Sequence, residues 1–322
     1  MSDEQLHEKT KKPSHALAMT IVLVFLLSLG SFIVHPKSNE PDFGMINSAA
    51  NGAIGEAEDS IDVLFIGDSE AFSSFSPLQM WHEKGFTSYV CATSAQQLPY
   101  GNTLLRRATT TQHPKVVVFE TNSIYAPFSL NDSLMRAIQD VLPIFEFHDR
   151  WKHLTPSDFT DQPQATWTDD LKDFYLVKSV KPADSADYMK PTDDIANIPW
   201  LNERYLEHMI GYCRSLGATP LLVSVPSTKN WNMAKHNGMS AWAKENDIAY
   251  IDFNLAPYEI DINWETDTRD AGDHLNYFGA EKLTEEVGDL LDARYMLPDH
   301  RGDDAFSSWD EKYEQYVELV SK

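Results

Sequence analysis

Apolar positions along this chain fall into two alternating rhythms. Short apolar runs at 63–66, 88–91, 116–119, 221–225 and 249–253 have the length and β-branched content of strands buried on both faces. Between them lie amphipathic stretches at 77–84, 101–110, 201–216 and 233–246. In the third of these, Leu201, Tyr205, Leu206, Met209, Ile210 and Cys213 recur at helical spacing. A last helical pattern runs through Phe278, Leu283, Val287, Leu290 and Leu291. Strand and helix in alternation predict an α/β fold, a mostly parallel sheet with helices on both faces.

Three stretches break the rhythm. Residues 16–34 carry no charge and are long enough to cross a bilayer as a helix. Lys9, Lys11 and Lys12 precede the run and only Lys37 follows closely, which predicts a cytoplasmic tail at 1–15 and an uncleaved signal anchor at 16–35. Residues 36–60, rich in Asn, Glu, Gly and Ser, suggest a linker that lifts the domain off the membrane. An α/β domain at 61–295 then carries an insertion at 125–198, rich in Pro, Asp, Trp and Phe, with one helical patch near 134–142. The insertion is expected to pack over the sheet edge as a lid or cleft wall. An acidic tail at 296–322 is expected as a short helix or disorder.

Charge narrows the partners. With 49 acidic against 26 basic residues the formal charge is −23, which argues against nucleic acid and against electrostatic docking on anionic headgroups. The two cysteines, Cys91 and Cys213, sit in apolar patterns without metal-ligand spacing and suggest buried thiols. No HExxH, GxGxxG or GxxxxGK[ST] occurs, so neither a metal nor another cofactor is expected.

Two peptides carry candidate chemistry. Gly67-Asp68-Ser69 follows the first strand directly, at the strand end where α/β folds bind ligands. Asp270-Ala271-Gly272-Asp273-His274 precedes the last helix, whose N-cap is Asn276. Serine, base and acid are the minimal set for covalent acyl transfer. Spacing does not choose between Asp270 and Asp273, because neighbouring side chains diverge. Trp231, His236 and Asn237 follow the fourth strand and fit a structural helix better than a site, while Arg150 suits either an anionic ligand or an acidic partner within the insertion.

Ile66-Gly67-Asp68-Ser69, Asn122 after the third strand and the acid–His pair near the end resemble the SGNH/GDSL hydrolases over roughly residues 60–295. The resemblance implies a three-layer, flavodoxin-like parallel sheet and a hydrolytic or acyl-transfer activity. By it Ser69 is the nucleophile, His274 the base and Asn122 an oxyanion donor. The chain departs from the family pattern at three places. Glu120-Thr121-Asn122-Ser123 replaces Gly-x-Asn-Asp, and Ala92-Thr93-Ser94-Ala95-Gln96 lacks the donor glycine, leaving Ser94 and Gln96 as candidates. Ala271 stands where the acid usually does, so Asp270 or Asp273 must serve, with Asp273 the preferred one. The anchor, Ser69-Glu70 with Phe75-Ser76-Pro77, and His148-Asp149-Arg150-Trp151 are similar to membrane-anchored SGNH-like proteins of bacterial envelopes. That similarity implies an acyl-bearing envelope polymer or small acyl ester as substrate and a membrane-bound acyltransferase as partner.

Overall fold

The structure, a computed structural model, describes residues 15–322. Five strands, β1 (Val63–Gly67), β2 (Ser88–Ala92), β3 (Val116–Glu120), β4 (Thr219–Ser224) and β5 (Ala249–Asp252), form one parallel sheet of order β2-β1-β3-β4-β5. The helices are α1 (His15–Val34), α2 (Ser69–Ser74), α3 (Pro77–Lys84), α4 (Leu98–Ala108), α5 (Asn122–Tyr125), α6 (Leu130–Val141), α7 (Ile144–Phe147), α8 (Trp200–Ser215), α9 (Met233–Glu245), α10 (Tyr277–Tyr295) and α11 (Ser307–Ser321). All five expected strands are present, and the α/β class stands.

Alternation along each strand divides the interior into two cores. Leu64, Ile66, Tyr89, Cys91, Val117 and Phe119 face α4, α8 and α9. Val63, Phe65, Val90, Val116, Val118 and Leu221 face α2, α3 and α10. Cys91 and Cys213 are buried free thiols. In this strand order the chain reverses direction across the sheet at β1 and β3, and the crevice at their carboxyl ends is the expected binding place.

One segment differs from expectation, and in the C-terminal tail one of two expected alternatives is present. Residues 36–60 are packed rather than a free tether. Asn39 Oδ1 accepts the N–H groups of Thr166 and Trp167, Ala50 and Ala53 are buried, and Tyr89 donates to the Ala49 carbonyl. Their polar side chains serve as internal hydrogen-bonding groups, which composition alone reads as solvation. The tail is the helical alternative: α11 packs on α3 with Trp309 buried against Trp81. Of the anchor expected at 16–35, residues 16–34 are helical, in a helix that begins at His15; residues 1–14 of the expected cytoplasmic tail lie outside the described residues.

Candidate active site

The site begins with a glycine that only a glycine can replace. A Cβ on Gly67 would lie 2.7 Å from both Ala71 Cβ and Glu120 Cβ, so the turn from β1 into α2 leaves no room for a side chain. Asp68 caps α2, its Oδ1 accepting the Glu70 N–H at 2.9 Å. Ser69 therefore opens α2, where a backbone N–H has no intrahelical acceptor, and its hydroxyl is half-buried at the sheet edge.

His274 reaches Ser69 from a tightly pinned loop. Thr268 and Leu275 form an antiparallel bridge that closes the loop, and between them Ala271 (φ 63°) and Gly272 (φ 86°) are left-handed. A Cβ on Gly272 would collide with Thr228 Oγ1. Ser227 Oγ donates to the Gly272 and Asp273 carbonyls, holding the loop from the β4 side. The reversal turns Asp270 back on His274: its Oδ1 accepts the His274 backbone N–H at 2.8 Å and its Oδ2 lies 2.7 Å from Nδ1. With Nδ1–H donating to that carboxylate, Nε2 is left as an acceptor for the Ser69 hydroxyl, 2.8 Å away. Burial opposes ionisation of Asp270, but the ring and backbone bonds from His274 and the nearby Arg269 outweigh it and hold the carboxyl below its ordinary range. Arg269 also donates to Ser73 Oγ at 2.8 Å, tying the acid's loop to α2.

The preference for Asp273 over Asp270 as the acid is corrected here. Asp273 makes no hydrogen bond to the ring, and its Oδ1 accepts from Asn230 Nδ2 at 2.6 Å. The two left-handed residues separate the directions of the two carboxyls, a matter of backbone angles that spacing does not encode.

Beneath Ser69 lies a knot of buried acids. Asn122 Nδ2 donates to Asp68 Oδ2 at 2.9 Å, and the Asn122 N–H donates to Glu120 Oε1 at 2.7 Å. Lys235 Nζ donates to Asn122 Oδ1 at 3.3 Å and to the Asn230 carbonyl at 2.6 Å, which orients the Asn122 amide. Asn230 Nδ2 also reaches Glu70 Oε1 at 2.7 Å. Burial, reinforced by the neighbouring carboxyls, pushes Glu70 and Glu120 well above the ordinary glutamate range. Burial alone raises Asp68, against its bonds from the Glu70 N–H and Asn122. Burial likewise lowers Lys235, against the pull of these acids. Glu70 Oε2 and Glu120 Oε2 have no hydrogen-bond partner.

Of the residues singled out from sequence, Ser69, His274 and Asp270 form one hydrogen-bonded chain, and Asn122 lies beside it, bonded to Asp68, the residue that precedes Ser69. Ser94 is exposed and has no hydrogen bond to Ser69 or His274; it lines a cavity of about 200 Å³ with Phe72, Ala92 and Tyr175. Gln96 as a donor is corrected: its side chain is buried, accepting from Thr93 Oγ1 and donating to the Cys91 carbonyl, because it closes the end of β2. Trp231 and His236 hold Asp252 at 3.0 and 2.6 Å and lock α9 to β5. Arg150 pairs with Asp158 at 2.9 Å inside the insertion. Glu70, Glu120, Asn230 and Lys235 were not anticipated; the one available signal was Glu120 ending an otherwise apolar strand. Glu70, Asp273 and His274 bring ligand-type atoms within 4.8 Å of one another, but Asn230 occupies both acids and Asp270 and Ser69 occupy the imidazole.

No protein-family model matches the chain, and no curated protein matches it. Solved structures similar to it include a protein described as lipolytic, of the G-D-S-L family, from Desulfitobacterium hafniense DCB-2, with 14% identity and a TM-score of 0.40, covering 71% of this chain and 98% of that one. A lipase/acylhydrolase from Enterococcus faecalis matches at 10% identity and a TM-score of 0.39, over 73% of this chain and 96% of that one. A GDSL-like lipase from Bacteroides thetaiotaomicron matches at 11% identity and a TM-score of 0.36, over 72% and 87%.

Proposed function

We propose that this protein is a serine esterase or acyltransferase, held by α1 at the outer face of a membrane, that acts on acyl esters. The observation that carries the reading is the unbroken chain Asp270–His274–Ser69, with contacts of 2.7 and 2.8 Å at the two ring nitrogens. Ser69 Oγ attacks the acyl carbonyl while its proton passes to His274 Nε2. Collapse of the tetrahedral intermediate expels the alcohol, which takes that proton, and leaves an acyl-serine. Water or a second hydroxyl, deprotonated by His274, then releases the acyl group. Asp270 orients the imidazole and offsets its charge when protonated. The Ser69 N–H and the second hydrogen of Asn122 Nδ2 are the donors available to the oxyanion.

His15–Val34 is long and apolar enough to cross a membrane, and the lysines before it favour a cytoplasmic N-terminus. Tethering outside favours transfer onto an exported glycan or cell-wall polymer, with a membrane-bound acyltransferase as acyl source. A competing reading, a silent scaffold that binds such a polymer, draws on the engaged Asn122 amide and the inward Gln96. Full-length protein in detergent, tested with p-nitrophenyl acetate and a serine-directed phosphonate, separates the two. Turnover and labelling that Ser69→Ala abolishes support the enzyme. Activity that survives the substitution overturns Ser69 as nucleophile, and inertness of the folded wild type leaves the scaffold.

A further inference from the structure

The helix α6 is inside out. Arg136 is its buried face, 9% exposed, paired with Glu146 at 2.7 Å and Asp140 at 2.9 Å. Leu130, Leu134 and Val141 stand on the opposite side, 65%, 59% and 78% exposed. At about 100° per residue these three positions share one face. A helix in water turns its leucines inward and its arginine out. The following turns repeat the inversion in part: Trp151 is 65% and Phe159 56% exposed while Arg150 and Asp158 pair within, and Asp149 and Lys152 form an exposed pair beside Trp151.

These elements clasp the end of α1. Gly30 lets Ile144 approach so closely that a Cβ there would lie 2.7 Å from Ile144 Cδ1. Ser31 Oγ accepts the Ile144 N–H at 3.2 Å. Arg150 Nη1 and Lys37 Nζ donate to the last carbonyls of α1, those of Val34 and Phe32, at 2.7 and 2.6 Å. Arithmetic then fixes the level of the clasp. His15 to Leu26, exposed throughout, extends only about 18 Å at 1.5 Å per residue, whereas a hydrocarbon core is about 30 Å thick. Lys9, Lys11 and Lys12 bar the apolar segment from extending further back. The span needs the whole of His15–Val34, including the two turns that the clasp surrounds.

Building on the anchored reading above, we propose that α6, α7 and the 148–159 segment form an apolar apron immersed in the outer leaflet around α1. The domain is thereby seated on the bilayer and does not swing from a tether. Trp151 supplies the amphipathic ring of an interfacial belt, and Phe145 and Phe159 add apolar surface beside it. The attraction is apolar, which accommodates a chain of charge −23 on a lipid surface.

Nitroxide labels on the full chain in phosphatidylcholine nanodiscs test this. Labels go at L134C, V141C and W151C, with V22C as the span reference and S240C, exposed on α9, as the water reference. Cys91 and Cys213 are buried and are replaced by alanine if they label. The expected result is a ratio of oxygen to nickel-chelate collisions several-fold above that of S240C at all three sites. A ratio equal to S240C overturns the apron, as does exclusion of both reagents, which would mean that a protein covers the face. If V22C itself reads as water, the anchor fails, whatever the apron does. Lipid contact at V22C alone removes the apron and leaves the anchor and the esterase reading intact.

Discussion

Two regions of this molecule bury charge, and they do it in opposite ways. At the clasp, Glu146 is held by Arg107 and Arg136, each at 2.7 Å, and although burial opposes it their charges and hydrogen bonds keep its carboxyl below the ordinary range. Beneath Ser69, Asp68, Glu70 and Glu120 share one lysine and are displaced upward by burial. The first is a pinned joint in which both signs are matched. The second keeps three acids, all displaced toward the protonated form, beside Ser69, the kind of displacement that reactive sites concentrate.

Substitutions can break this contrast, beginning with the largest effect. Ser69→Ala should lower kcat for p-nitrophenyl acetate by roughly 10⁶-fold, to background, with the melting curve unchanged. Asp270→Asn should cost about 10⁴-fold, because the imidazole loses its tautomer. Asp273→Asn should cost less than about 10-fold by the same assay. At the clasp, Glu146→Ala removes the carboxylate shared by two guanidinium groups, leaving them Asp140 and Asn51, and should destabilise by about 3 kcal/mol in chemical denaturation. Glu120→Gln should change stability by about 1 kcal/mol or less near pH 4, where it imitates the protonated acid, and should gain on the wild type as pH rises.

The pH dependence of stability sharpens the same comparison. Glu120, with its folded pKa raised, holds a proton that the unfolded chain has lost. Its contribution is full below about 4.3, the unfolded value, and declines as pH rises through the folded value. Glu146, with its folded pKa depressed, contributes fully above about 4.3 and loses that contribution as pH falls through its folded value. Denaturant midpoints measured from pH 2.5 to 8 should therefore lose part of their downward slope above about pH 4.3 in Glu120→Gln. Glu146→Gln should instead flatten the acid limb. Slopes changing in the same direction would contradict the contrast.

The strands were legible because strands buried on both faces read as continuous apolar runs. Helix α6 was legible only in part, at 134–142 rather than Leu130–Val141, because its apolar face is turned outward and its first turn is polar. Residues 36–60 misled because Asn39 and Asn51 look like solvated loop yet serve as internal hydrogen-bonding groups. Glu70 and Lys235 gave no signal, since a surface charge and a buried one are the same letter.

Local order along the chain was enough for the strand–helix alternation, the apolar N-terminal span, and the peptides that hold Ser69 and His274. Those features depend on side-chain hydrophobicity and on neighbours a few residues away. Which aspartate meets the imidazole, which acids are pressed out of ionisation and which face of α6 points outward were decided in three dimensions. Each depends on partners far off in sequence: Thr228 against Gly272, Lys235 among three acids, and Arg107 on the Glu146 that holds Arg136 inward. Hydrogen-bond direction and burial are properties of the assembled fold, and no stretch of the chain carries them alone.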